Sequence, residues 1–117
     1  MNRPLPALAA LAALAAAGAA QAHAHLVRAE PAAGASAKPG DTLSLKFNEP
    51  LVARFSTVTL TAPGGGHPAV TTGVSPDRTT LTAKPKAPLA PGAYKVEWRV
   101  VSADGHKVGG SYSLTVG

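Results

Sequence analysis

From Thr42 onward the chain alternates apolar and polar residues in short runs. In "TLSLKFNEP", Leu43, Leu45 and Phe47 fall on one face, and Ser44, Lys46 and Asn48 on the other. In "FSTVTLTAP", Val58 and Leu60 alternate with threonines. In "GAYKVEWRVVSADG", Tyr94, Val96, Trp98 and Val100 point one way and Lys95, Glu97 and Arg99 the other. "GGSYSLTVG" repeats the theme with Tyr112, Leu114 and Val116, and "HLVRAEP" and "RTTLTAKP" are shorter candidates. A period of two marks strands with one buried face. No helical period of useful length appears, and Pro and Gly (eleven and twelve in the chain) recur too often for long helices. Turn signals separate the runs at Pro31 to Gly34, Pro39-Gly40-Asp41, Pro63 to Gly66, Ser75-Pro76-Asp77 and Pro91-Gly92. The spacing predicts an all-β domain of about six or seven short antiparallel strands, closed as a sandwich or a small barrel. Trp98 belongs to its core.

The stretch before the first strand reads differently. Arg3 gives a thin positive start, Leu5 to Ala20 is an apolar run of mostly Leu and Ala, and Ala20-Gln21-Ala22 fits a small-x-small cleavage site. Residues 1–22 are therefore expected to be a cleaved secretory signal peptide, and residues 23–117 the single mature domain. The run is too short for a membrane-spanning helix. Removing 22 of 117 residues leaves 95 and takes Arg3 away, lowering the formal charge from +5 to +4. The favoured cut exposes His23 as the first residue. A second possible cut, after Ala24, would expose His25 instead.

Composition narrows the chemistry. The absence of cysteine excludes disulfides, thiolate zinc sites and iron–sulfur clusters. The basic residues are scattered and only five aromatics are present, which argues against a nucleic-acid partner. Four histidines remain: His23, His25, His67 and His106. His67, in the glycine-rich "GGGHPAV", reads as a solvated loop residue. His106 follows Asp104 by two residues in "SADGHKVGG", so on an extended backbone both side chains project to one side, and Gly105 allows a tight bend between them. Alone, this is an ordinary hairpin turn, and a histidine near an N-terminus is ordinarily solvated.

Together they define a candidate site. An N-terminal His23 offers its α-amine and its imidazole as a chelate. His106 adds a third nitrogen and Asp104 an oxygen. Tetragonal N,O ligation favours Cu(II), then Ni(II), whereas zinc prefers a tetrahedron. With Met1 the sole methionine, no thioether is left for a Cu(I) site. A competing mode wraps Cu(II) with the amine, two deprotonated amides and the His25 imidazole. A strand starting near His25 would restrain those amides, so the mode using Asp104 and His106 is favoured, with His25 auxiliary. Glu49 is a weaker candidate for orienting a ligand imidazole.

"HAHLVRAEPAAGA", then "LSLKFNEPL", then "YKVEWRVVSADGHKVGGSYSLTV" resembles the CopC family of bacterial copper-resistance proteins over essentially the whole mature chain. The resemblance implies a seven-stranded Ig-like β-sandwich in the periplasm that binds Cu(II), with one ion per chain. It implies His23 with its amine, Asp104 and His106 as ligands and His25 close by. It also implies a CopD-type inner-membrane transporter as partner. The chain departs from family members that carry a methionine-rich loop. We expect a monomeric, non-enzymatic copper carrier or buffer. The other readings are an oxidative copper enzyme built on a histidine brace, as in lytic polysaccharide monooxygenases, and a metal-free Ig-like interaction module.

Overall fold

The computed structural model describes residues 24–117. The expected signal peptide and His23 lie outside the described residues. Eight strands follow in chain order: β1 Leu26–Glu30, β2 Ser36–Ala37, β3 Leu43–Phe47, β4 Thr57–Thr61, β5 Val70–Val74, β6 Thr80–Pro85, β7 Gly92–Val101 and β8 Lys107–Val116. They form two four-stranded sheets, in the orders β1-β3-β6-β5 and β2-β8-β7-β4. The expected all-β sandwich is what the chain forms. Two of its strands, β2 and β5, fall outside the alternating runs, and β2 pairs in parallel with the end of β8 while every other pair is antiparallel.

The alternation dictates what lies between the sheets. Leu43, Leu45 and Phe47 of β3 and Leu81 and Ala83 of β6 are buried from one side. Val58 and Leu60 of β4, Tyr94 through Val100 at every second residue of β7, and Leu114 and Val116 of β8 are buried from the other. Phe47 and Trp98 meet edge to face across the gap, ring centroids 5.1 Å apart. The Tyr94 hydroxyl donates to the Ala90 carbonyl at 2.7 Å, tying the start of β7 to the loop before it, much as the tyrosine corner does in Ig-like sandwiches. Tyr112 enters only halfway. Desolvation pushes its phenol up to about 12.

One end of the sandwich gathers the chemistry. The residues leading into β1, the segment after β3, the β5–β6 turn and the β7–β8 hairpin all meet there. Leu51 bridges to Ser102, the Val52 N–H donates to Val101 O at 2.7 Å, and the Leu51 N–H donates to Arg78 O at 2.8 Å.

Candidate metal site

The β7–β8 hairpin holds Asp104 and His106 in a tight turn. The Gly105 N–H donates to Ser102 O at 2.8 Å, and the Ser102 N–H donates to His106 O at 3.0 Å. Gly105 takes φ +91°, a conformation that suits a residue without Cβ. Asp104 and His106 do converge, through this turn rather than through strand alternation. The His106 ring nitrogen Nδ1 lies 3.0 Å from Asp104 Oδ2. Such a carboxylate–imidazole contact fixes ring orientation and favours the tautomer that presents Nε2 as a base.

Ser102 organises the carboxylate from below. It is fully buried, and its hydroxyl donates to Asp104 Oδ1. The His106 backbone N–H reaches the same oxygen at 3.3 Å. The Ser102 hydroxyl first, and the His106 imidazole second, hold the Asp104 carboxyl down to about 2. At neutral pH this turn therefore offers an ionised oxygen donor beside an imidazole, both at the surface.

The N-terminal segment is anchored independently. Ala24 is completely buried in the core. The His25 backbone N–H donates to Asn48 Oδ1 at 2.6 Å, and the Asn48 N–H returns a bond to His25 O at 3.2 Å. A bulge between Leu26 and Arg28 turns the chain as it enters β1, leaving Val27 outside. Two residues beyond Asn48, the Pro50 carbonyl accepts from the Ala103 N–H at 2.9 Å. Two residues of extended chain span at most about 7 Å. One short segment thus clasps both the N-terminal anchor and the hairpin.

Of the sequence-predicted residues, the structure brings Asp104 and His106 together, places His25 exposed at the same end, and leaves His23 outside the described residues. Among the described residues no three His, Cys, Asp or Glu side chains group as a metal site. The hairpin alone supplies two donors. Glu49 is half-buried in the clasping segment. His67 is an exposed loop residue as expected, its Nδ1 3.0 Å from the Leu60 carbonyl. Sequence reading missed Ser102 and Asn48. Ser102 carried a signal in the S-x-D-G-H spacing, whereas the role of Asn48 depends on a contact 23 residues away in sequence.

The CopC domain model matches residues 26–117. The chain belongs to the CopC family. Copper resistance protein C of Pseudomonas syringae pv. tomato is 41% identical over 104 residues, covering 83% of this chain and 82% of that protein. The crystal structure of PcoC, a methionine-rich copper resistance protein from Escherichia coli, matches with TM-score 0.73 at 31% identity, over 82% of this chain and all of that one. CopC from Methylosinus trichosporium OB3b matches with TM-score 0.71 at 30% identity, over 80% of this chain and 93% of that one. PcoC is methionine-rich, whereas this family member has Met1 alone.

Proposed function

We propose that the exported, processed chain is a periplasmic Cu(II)-binding protein of copper resistance. It holds one ion through the amine and imidazole of His23, the imidazole of His106 and the carboxylate of Asp104, with His25 adjacent. It buffers copper or delivers it to a CopD-type membrane partner, without catalysis. The single observation that carries this reading is the preset Asp104–His106 pair on a hairpin clasped to the N-terminal anchor through Asn48 to Pro50.

One feature supports the cut before His23. Cleavage after Ala24 would remove a residue that is wholly buried in the core. Retaining it keeps residue 23 one Cα step, about 3.8 Å, from a fixed point. The hydrogen bond from the His25 N–H to Asn48 also opposes the wrapping mode, which needs that amide deprotonated and turned to the metal. The two donors of His23 would join the two on the hairpin to complete the set.

Mass spectrometry of the exported protein and electron paramagnetic resonance of its copper form test this. The expected results are a mature chain beginning at His23 and a tetragonal signal with three nitrogen ligands. A mature chain starting elsewhere that binds Cu(II) equally well would sink the proposal. Turnover of polysaccharide with ascorbate or peroxide would replace the carrier reading with the enzymatic one.

A further inference from the structure

The metal end adjoins an unpartnered strand edge. β8 pairs with β7 over its full length, from Lys107 opposite Val101 to Val116 opposite Gly92. On its other side β2 reaches only Thr115 and Val116, and the Gly34 N–H adds one bond to Ser113 O at 2.7 Å. The Thr115 N–H likewise points outward, to Ala35 O at 3.1 Å. Successive residues of a strand alternate in direction, so the backbone groups of Ser111, Gly109 and Lys107 point to the same side as those of Ser113 and Thr115. Among the described residues none of these three pairs on that side. Such an edge is a template for another strand.

The surface above the Lys107–Gly109 part of this edge is cationic and partly apolar, and Glu97, opposite Ser111, marks where that character ends. Thr57, Arg99 and Gly109 stand in register across β4, β7 and β8, and Val101 stands opposite Lys107 in the next row. They floor a trough of about 660 Å³, with Phe55 as its wall. Phe55 is 55% exposed, with the Arg54 guanidinium 4.9 Å from its ring centre. A Cβ on Gly109 would lie 3.7 Å from Arg99 Cγ, so the Arg99 stem passes beside a position with no side chain and is open to the β8 edge. Arg54, Arg99 and Lys107 form no ion pair among the described residues, and no carboxylate lines the trough.

We propose that the β8 edge from Lys107 to Ser111 docks an extended, carboxylate-bearing segment of another protein. The segment adds as a strand, and its alternate acidic side chains, all on the outer face, stand beside Arg99 and Lys107. Main-chain bonds supply affinity and the charge pattern supplies selection. A flat lipid surface does not enter a strand edge. Docking here seats the partner one residue from His106. That gives the copper reading its recipient, and only this last clause rests on that reading.

The test uses the copper-free processed protein and a short capped peptide alternating Glu with Val, with Gln and Lys counterparts as controls. The Glu peptide should shift the amide resonances of Lys107, Gly109 and Ser111, with affinity falling several-fold as salt is raised. Arg99→Glu should abolish the effect. So should Ser111→Pro, which removes an edge N–H and leaves the β7 ladder intact. The His106→Ala protein should bind the peptide normally, which separates docking from copper ligation. Equal binding of the Lys peptide, or full binding by Arg99→Glu, overturns the proposal. So do the same shifts produced by anionic phosphatidylglycerol vesicles, or by concentrating the protein alone.

Discussion

Asp104 shows how one hydroxyl can set the character of a site. Its carboxyl is held to about 2 by Ser102 and then His106, against an unfolded value near 3.9. A depressed folded value stabilises the fold above the unfolded pKa, and that contribution fades as pH falls from about 4 toward about 2. On the proposed ligation, acid release of copper above pH 4 should therefore come from protonation of the nitrogen donors, because the oxygen donor remains ionised. Replacing Ser102 with Ala should raise the Asp104 midpoint toward the ordinary carboxylate range, measured by nuclear magnetic resonance titration of its side-chain carbon. The same change should weaken Cu(II) binding by roughly ten- to a hundredfold in a competition titration, as loss of outer-shell partners does. An unmoved midpoint would show that Ser102 does not position the carboxylate. The pairing of Asp104 with His106 was legible from spacing and Gly105. The parts played by Ser102 and Asn48 were not, because each depends on how a turn closes or on which distant backbone arrives beside it.

At the scale of elements, strands with one strictly buried face declared themselves. β3, β4, β7 and β8 alternate because each lays its odd or even residues against the opposing sheet. β5, "VTTGV", buries only Val70 and Val74, and those only in part, so its run carries no period of two. β2 is two residues long and exists through its parallel pairing with β8, a contact no local pattern encodes. The glycines of β8 show a further pairing invisible in sequence. The Trp98 ring lies across Gly110, where an added Cβ would stand 2.5 Å from Trp98 Cζ2. Gly110→Ala must therefore displace the ring that packs on Phe47. It should cost roughly 1–3 kcal/mol, the usual penalty of overpacking, read from urea unfolding. Gly66→Ala is the control, because nothing lies within 4 Å of its added Cβ, and it should leave the midpoint unchanged or slightly raised. Equal effects at the two positions would mean that Trp98 is free to move.

At the scale of the molecule, the proposed ligands belong to different sheets. The N-terminal segment leads into β1 of one sheet, and Asp104 and His106 sit on the β7–β8 hairpin of the other. An ion held by both ends joins the sheets at the end of the sandwich opposite the Tyr94 corner. Because the unfolded chain cannot bring these groups together, binding stabilises the folded state. The gain is about 4 kcal/mol when free copper exceeds the dissociation constant a thousandfold. For a domain of this size each kcal/mol moves the melting midpoint by roughly 4–8 °C. Copper should therefore raise the midpoint on the order of 15–30 °C in protein that begins at His23. One glycine placed before His23 leaves every described residue in place, so the copper-free midpoint should stay where it was. That glycine converts the amine into an amide and moves the new amine away from the imidazole, which breaks the chelate. Most of the copper-induced shift should then disappear, and calorimetry with and without Cu(II) on the two proteins reads both numbers. If the extended protein kept its full shift, the hairpin and His25 would have to hold the ion without the terminal amine, and the assignment of His23 would fall.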